Sequence, residues 1–188
     1  MLYIVDMNEL IKVDIPSGKV VQKISVDKAV FLNDIAINRR KQVFVTASNN
    51  HGIYQLNGNS LKMVFQDSVK LEYANGIAFF EEGLLVAGMK LTKVNLKTGA
   101  LSSISLPEGL NDFDGLAVNQ KGEIMLTQVL GRGKLSLISS DLKSIHAFDS
   151  DNYLADFDIA QMNNGIYLFV ASGNHENKEY GVTALWLD

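Results

Sequence analysis

Short runs of alternating apolar and polar residues fill this chain, and one short segment recurs among them. Each copy places a small polar residue just ahead of an apolar run, and the copies begin at Asn33, Asn75, Asp114 and Asp156. The intervals between them are 42, 39 and 42 residues. A period near 40 residues is typical of a repeat architecture, in which neighbouring units bury each other's apolar faces.

The segments between these copies have the pattern of β-strands. In the second repeat, Val43–Ala47 is rich in β-branched and aromatic residues, and Asn57-Gly58 is a dipeptide typical of two-residue hairpins. No stretch repeats apolar residues at helical spacing between caps, and we interpret residues 66–73 as a loop with at most one helical turn. The pattern predicts an all-β fold, a β-propeller of four-stranded antiparallel blades.

The period also predicts where the blades begin and end within one domain, 1–188. The expected order is a partial blade at 1–29, blades at about 30–70, 71–110 and 111–150, and a partial blade at 151–188. Propellers have roughly 4–8 blades, so the ends either complete a small ring or belong to a longer arc. We favour an incomplete portion of a six-bladed ring, because the chain starts inside a strand, and we expect part of the first blade upstream of Met1.

Composition narrows the classes of partner. With 17 basic and 21 acidic residues the net charge is −4, which disfavours nucleic acid, since phosphate binding needs clustered positive charge. The absence of cysteine excludes disulfides and thiolate zinc sites. No apolar run reaches the ~18 residues of a membrane span, and no signal peptide is recognisable. We therefore expect no nucleic acid and no membrane as partners, while compartment and oligomeric state stay open.

Three of the repeated segments resemble the motifs of a known family. Leu32-Asn-Asp-Ile-Ala, Ala74-Asn-Gly-Ile-Ala and Phe113-Asp-Gly-Leu-Ala are similar to corresponding positions in the SMP-30/gluconolactonase family, which includes regucalcin and related six-bladed propellers. The turn 48–56 also resembles an NHL repeat, a related propeller type. The resemblance covers residues from about 30 to 188 and, more weakly, the first 29.

The resemblance implies roles for individual residues. Asn75 and Asp114 correspond to ligands of a divalent cation, commonly calcium or zinc, and Asp114 also corresponds to the general base that acts on the attacking water. Asn33 corresponds to a residue that contacts substrate. The implied function is a metal-dependent hydrolase whose small-molecule substrate is a sugar lactone or a similar small ester.

Two departures from the family pattern bear on this function. The family's third protein ligand is a Glu from the first blade, and no residue of this chain matches it. The family's substrate-binding Arg lies two residues before the Asn, at the position that Phe31 occupies here. A non-catalytic NHL-like or SMP-30-like propeller that binds a ligand or protein is therefore the alternative function.

The chemistry of the donor atoms agrees with a hard cation. Carboxylate and amide oxygens suit calcium, which we favour, with zinc as the alternative. A further carboxylate, Asp156, is a weaker candidate for the proton acceptor. The competing explanation is structural, because Asn, Asp and Gly at turns also serve local hydrogen bonding. Histidines are too dispersed in the repeat for a metal trio, and His51 falls in a turn.

Overall fold

The computed structural model describes residues 1–26, 31–38, 40–128, 134–149, 153–162, 165–174 and 178–187. These residues form antiparallel β-strands, turns and irregular segments, and no α-helix is assigned among them. None of them belongs to a helix long and apolar enough to cross a bilayer. The predicted all-β fold is confirmed.

The strands follow one another along the chain with short connections. The first seven are β1 Leu2–Asp6, β2 Glu9–Asp14, β3 Lys19–Ser25, β4 Leu32–Ile37, β5 Val43–Ala47, β6 Gly52–Asn57 and β7 Ser60–Gln66. The next eight are β8 Ile77–Phe80, β9 Gly83–Val86, β10 Thr92–Val94, β11 Leu101–Ser103, β12 Phe113–Val118, β13 Ile124–Gln128, β14 Lys134–Ile138 and β15 Ile145–Asp149. The last three are β16 Tyr153–Met162, β17 Gly165–Asn174 and β18 Glu179–Leu187.

Each sheet is an antiparallel meander of consecutive strands. Three of the sheets formed by described residues have four strands, β4 to β7, β8 to β11 and β12 to β15, and two have three strands, β1 to β3 and β16 to β18. This strand order is that of propeller blades and confirms the predicted repeat of four-stranded units. In each four-stranded sheet the repeated motif lies on or immediately before the first strand.

Both faces of β5 are buried, which explains why four of its five residues are apolar. All five residues of β5 are buried. Because side chains alternate across a strand, Val43, Val45 and Ala47 pack with residues of the first sheet, and Phe44 packs with residues of the third. A blade cannot bury its apolar surface alone, so these contacts supply most of the driving force for stacking.

The described chain divides into two compact units, Met1–Ile104 and Ser105–Asp188. The first contains β1 to β11 and the second β12 to β18, and each is described separately below. The prediction of one domain stays a prediction.

The 66–73 segment of the first unit is a turn, in which the Leu71 N–H donates to the Asp67 carbonyl at 2.9 Å. This agrees with the predicted loop with at most one helical turn.

Candidate functional site

A β-bulge lies at the first copy of the repeated motif. The pairing of β4 with β5 shifts register between Leu32 and Ile35. Asn33 and Asp34 therefore face a single residue, Thr46, on the neighbouring strand. A bulge of this kind changes the direction of side chains and is common beside functional sites.

The fourth sheet, in the second unit, has the same bulge. The pairing of β12 with β13 shifts between Phe113 and Leu116, so Asp114 and Gly115 face Thr127. In both bulges the threonine hydroxyl accepts a hydrogen bond from the second bulge residue: Asp34 N lies 3.0 Å from Thr46 Oγ1, and Gly115 N lies 2.9 Å from Thr127 Oγ1. The repeat thus reproduces a backbone geometry together with its supporting side chain.

The third sheet shows a related arrangement just before β8. Asn75 N donates to the Ala87 carbonyl at 2.7 Å, and Ala87 N donates to the Gly76 carbonyl at 2.8 Å. Asn75 and Gly76 therefore share one partner residue, as the two residues of a bulge do. Asn33, Asn75 and Asp114 occupy the first bulge position in their sheets, and all three side chains are partly buried.

The fourth copy of the motif, in the fifth sheet, is displaced by one residue. The register shift in β16 ends at Phe157, which places Ala155 at the first bulge position and Asp156 at the second. Asp156 is therefore equivalent to Asp34, and its predicted equivalence to Asp114 is wrong. Spacing in sequence could not reveal this, because a polar residue precedes an apolar run in either register. The side chain of Asp156 lies outside the described part of the structure.

The carboxylate of Asp34 is engaged by backbone N–H groups of two sheets. Its Oδ1 accepts a hydrogen bond from Ile35 N at 2.6 Å, and its Oδ2 accepts one from Ile77 N at 2.8 Å. Ile77 begins the first strand of the next sheet. The second bulge position of this motif therefore connects two sheets through Oδ2, while Oδ1 is held by the backbone of its own strand.

Two hydroxyls extend this connection to the residues just before Ile77. The buried Thr46 hydroxyl donates to the Asn75 carbonyl, and the buried Ser48 hydroxyl donates to the Ala74 carbonyl at 2.8 Å. We call Asp34, Thr46 and Ser48 the Asp34 network. It holds the backbone on both sides of Asn75 from the neighbouring sheet.

Asn33 joins the same network through its amide. Its Nδ2 donates to Ser48 Oγ at 3.2 Å. This bond fixes the amide plane and leaves Oδ1 as the atom with lone pairs that can meet a substrate or cation. Within the first unit the structure thus brings Asn33 and Asn75 together, through Ser48 and Thr46.

Asp114 belongs to the second unit, and a different residue holds the chain before it. The side chain of Gln128 is 4% exposed, and its Nε2 donates to the carbonyls of Gly109 at 3.1 Å and Asn111 at 2.9 Å. This amide fixes the segment that leads into Asp114, which is itself held in the bulge opposite Thr127.

The donor atoms at these positions are those of an oxygen site with little charge. No group of three or more His, Cys, Asp or Glu side chains that could hold a metal ion occurs among the described residues. Asp34 lies at the second bulge position, where both of its carboxylate oxygens accept backbone hydrogen bonds. The carboxylate of Asp114 is the single negative charge that the three predicted site residues offer. Amide and carboxylate oxygens are donors that suit a hard cation such as calcium.

Sequence reasoning missed an aromatic group beside Asn33 and Asn75. Phe31 and Tyr73 each lie two residues before the motif asparagine, have positive φ angles of 52° and 49°, and are 41% and 54% exposed. The ring of His51 contacts that of Tyr73 edge to face, with 5.5 Å between centroids. The signal available in the sequence was the recurrence of an aromatic residue at one repeat position.

No protein-family model matches the chain, and no curated protein matches it. The comparison with solved structures, in contrast, supports the fold.

Among solved structures, the chain is similar to a catalytically inactive virginiamycin B lyase from Staphylococcus aureus (TM-score 0.72, 13% identity, 97% of this chain and 62% of that one). It is similar to a chain of a nidogen–laminin complex (TM-score 0.69, 11% identity, 93% of this chain and 71% of that one). It is also similar to a protein assigned as a gluconolactonase (TM-score 0.69, 14% identity, 97% and 70%).

The chain spans less than two thirds of the first of these structures, and the low identities establish the fold alone. The described sheets therefore match part of each of these structures. The chain has a β-propeller fold, as these structures do.

Proposed function

We propose that this chain is a metal-dependent hydrolase of the SMP-30/gluconolactonase type, acting on a sugar lactone or a similar small ester. The observation that carries the proposal is the recurrent bulge, which presents one partly buried polar side chain from each of three sheets at the same position: Asn33, Asn75 and Asp114. Polar residues that served only as local turn formers would not need to share one position in a bulge.

In this proposal Asn75 and Asp114 are the ligands of a divalent cation, calcium in preference to zinc. Their pairing rests on their equivalent positions in the repeat and on the family resemblance, since Asp114 lies in the other unit. The cation, when bound, would polarise the ester carbonyl and lower the pKa of a water molecule. An amide oxygen and a single carboxylate suit calcium, but the low charge predicts weak affinity.

The chain's own residues have distinct roles in the proposal. Asp114 accepts the proton of the attacking water on its carboxylate, as a general base must. Asn33 binds the substrate through an amide whose orientation is fixed by Ser48. The Asp34 network keeps Asn75 in place, because its three side chains hold the backbone of residues 74, 75 and 77.

The test combines calorimetry with a hydrolysis assay. Calcium and zinc are titrated into the wild type and Asp114→Asn, and hydrolysis of D-glucono-1,5-lactone is followed by acid release. We expect Asp114→Asn to weaken cation binding by about tenfold or more and to abolish turnover, because it removes both the charge and the base. Asp141→Asn is the matched control, since Asp141 lies in an exposed turn of the same unit.

A wild type that binds neither cation and does not hydrolyse the lactone would refute the hydrolase proposal. The same conclusion follows if Asp114→Asn retains full turnover.

One specific observation favours a second candidate, a non-catalytic propeller that binds a ligand or protein. The family resemblance leads one to expect a cationic Arg at position 31. The residue there is Phe31, which is 41% exposed. A chain of a nidogen–laminin complex, an assembly of two proteins, has a similar fold. This candidate predicts binding that Asp114→Asn leaves unchanged, with no turnover in either variant.

A further inference from the structure

An open groove with a volume of about 980 Å³ lies between the second and third sheets. It begins at Ile37, the last residue of β4, and is lined by residues of the β4–β5, β8–β9 and β10–β11 turns. From these turns it runs outward to Val64 and Phe65 on β7. The repeated motif lies at the other end of β4 and β8, and neither Asn33 nor Asn75 lines the groove. The groove is therefore separate from the proposed hydrolytic site.

The outer strands of the two sheets differ in length, which leaves this space open. β6 and β7 of the second sheet have six and seven residues, whereas β10 and β11 of the third sheet have three each. The pairing of β6 with β7 also shifts register, and Val64 is the extra residue on β7. Adjacent residues of a regular strand face opposite sides, but at this bulge Val64 and Phe65 both line the groove.

The base of the groove is aromatic. Phe44, Phe65 and Phe79 line it, and the rings of Phe44 and Phe79 meet edge to face at 69°, with 5.8 Å between centroids. Phe44 is buried, whereas Phe65 and Phe79 are partly exposed. At the two ends of the groove Val64 is 39% exposed and Ile37 is 48% exposed. Packing within the protein leaves this apolar surface incompletely covered, and an apolar side chain of a ligand would bury it.

A turn that begins with asparagine fixes one side of the groove. Asn38 Oδ1 accepts hydrogen bonds from the backbone N–H groups of Arg40 at 3.0 Å and Gln42 at 2.9 Å. Asn38 Nδ2 donates to Gln42 Oε1 at 2.7 Å, which orients that amide and leaves Nε2 as its donor. Arg40 and Gln42 both line the groove. A cation and an amide are therefore presented by a backbone that is fixed before any ligand binds.

A second turn of the same kind presents Lys97 on the other side of the groove. Asn95 Oδ1 accepts hydrogen bonds from the N–H groups of Lys97 and Thr98, each at 2.9 Å. Arg40 and Lys97 are both exposed, and neither forms an ion pair with another residue in the described part of the chain. Both cations can therefore meet an anionic group of a ligand.

The acidic residues of the groove do not offset these two cations. The carboxylate of Glu81 forms an ion pair with Lys93, so its charge is already compensated. Glu82 contributes one negative charge against the positive charges of Arg40 and Lys97. The groove thus has a net positive charge in a chain whose net charge is −4. This charge is complementary to that of an acidic ligand.

Gln55 and the open shape of the groove favour a peptide as that ligand. Gln55 on β6 pairs with Phe44 on β5, so its side chain lies on the same face, beside the aromatic base. Its amide has both donor and acceptor atoms, as the binding of a peptide group requires. Small-molecule sites enclose about 70–90% of their ligand, whereas the exposure of Ile37 and Val64 shows that this groove is open. An extended chain can bind in such a groove with alternate side chains on the protein.

We propose that this groove binds an extended peptide in which apolar residues are next to acidic ones. The apolar side chains pack on Phe65 and Phe79. The carboxylates meet Arg40 and Lys97, and the Gln55 amide bonds to the peptide backbone. This proposal goes beyond the hydrolase function and does not depend on it, because the groove shares no residue with the proposed metal site.

The test is an array of acetylated and amidated pentapeptides, each with two Asp or Glu residues flanking three residues drawn from Leu, Ile, Val and Phe. The same array with Lys at both acidic positions is the charge control. We expect the wild type to bind peptides of the acidic array and not those of the lysine array. The peptide that binds most tightly is then titrated into the wild type and variants by calorimetry.

The charges are tested with Arg40→Gln and Lys97→Gln. We expect each to weaken peptide binding by about two- to fivefold, since a single exposed charge pair contributes little. Lys19→Gln is the matched control, because Lys19 is an exposed residue of β3 in the same unit and does not line the groove. It should bind the peptide as the wild type does.

The apolar surface is tested on β7. We expect Val64→Ser to weaken binding by about three- to tenfold, because it removes two methyl groups that the peptide covers. Met63→Ser is the matched control. Met63 is 38% exposed and lies opposite Tyr54, which packs towards the first sheet. Circular dichroism confirms that each variant is folded.

The proposal is overturned if no peptide of the acidic array binds or if the lysine array binds equally well. It is also overturned if folded Arg40→Gln, Lys97→Gln and Val64→Ser all bind as the wild type does. The titration is repeated with Asp114→Asn. Unchanged peptide binding in that variant supports a separate groove whether or not the lactone is hydrolysed, and loss of binding would contradict the separation.

Discussion

The bulge at Asn33–Asp34 and the bulge at Asp114–Gly115 share a backbone and differ in their side chains. Each faces one threonine whose hydroxyl accepts the N–H of the second bulge residue. In the first unit that second residue is Asp34, whose carboxylate reaches the neighbouring sheet at Ile77. In the second unit it is glycine, which has no side chain to do so.

This difference separates two roles that one short motif combines. The first bulge position presents a polar side chain, and it is the position that we assign to chemistry. The second position determines whether a blade binds its neighbour through a carboxylate, which is partly buried in Asp34. In the second unit glycine takes that position, and the segment before the motif is held by the amide of Gln128.

The largest effect is expected from Asp34→Ala in the first unit. The variant removes the acceptor for two backbone N–H groups, of Ile35 and Ile77. Hydrogen bonds to a charged group contribute about 1.5–3 kcal/mol each, so we expect a loss of about 3 kcal/mol in the free energy of unfolding. Urea denaturation followed by circular dichroism measures it.

Asp34→Asn is the control, because it preserves shape and one acceptor oxygen while removing the charge. It should cost less than Asp34→Ala. Equal stability of Asp34→Ala and the wild type would show that the carboxylate does not hold the neighbouring sheet.

The two threonines allow a direct comparison of the bulges. Thr46→Val keeps the side-chain shape but removes the hydroxyl that accepts from Asp34 N and donates to the Asn75 carbonyl. We expect it to cost about 2 kcal/mol, because buried backbone groups lose their partners. Thr127→Val is the counterpart in the second unit. Thr46→Val with the stability of the wild type would contradict a role for this hydroxyl in holding Asn75, and Thr127→Val with the stability of the wild type would contradict the support of the second bulge by Thr127.

Gln128→Ala tests how the second unit holds the segment before Asp114 without a carboxylate equivalent to that of Asp34. It removes the donor to the Gly109 and Asn111 carbonyls, and we expect it to cost about 1–2 kcal/mol. Hydrogen exchange should show faster exchange in residues 109–114 and no change around Asn75. Unchanged exchange in residues 109–114 would mean that Gln128 does not fix the segment before Asp114.

The sequence predicted the fold well because period and alternation are local and repeated. The 42- and 39-residue intervals predicted that Asn33, Asn75 and Asp114 occupy equivalent positions in their sheets, and they do, since each four-stranded sheet repeats one strand order. It failed at Asp156, where a one-residue change in bulge register leaves the same polar-then-apolar pattern.

The parts of the site that the sequence did not predict depend on contacts between sheets. The carboxylate of Asp34 meets Ile77, which is 43 residues away. No local pattern distinguishes this carboxylate from one that binds a ligand. The same holds for Tyr73, whose conformation depends on His51 and Gly88 rather than on its own neighbours in sequence.

The smallest expected effect is a change in the free energy of unfolding with pH, and it differs between the two units. Backbone N–H groups of Lys70 and Val69 donate to the Asp67 carboxylate and lower its pKa below the ordinary value of 3.8. A lowered pKa in the folded state stabilises the protein at pH values above the unfolded-state pKa, and this contribution is lost as pH falls through the folded-state pKa.

Asp67 begins the turn that leads to Asn75, whereas the corresponding segment before Asp114 is held by the neutral amide of Gln128. We therefore expect the stability difference between the wild type and Asp67→Asn, measured by urea denaturation from pH 6 to pH 3, to shrink with acidification. Gln128→Ala should show a pH-independent loss, and an Asp67→Asn difference that stays constant down to pH 3 would contradict the assignment.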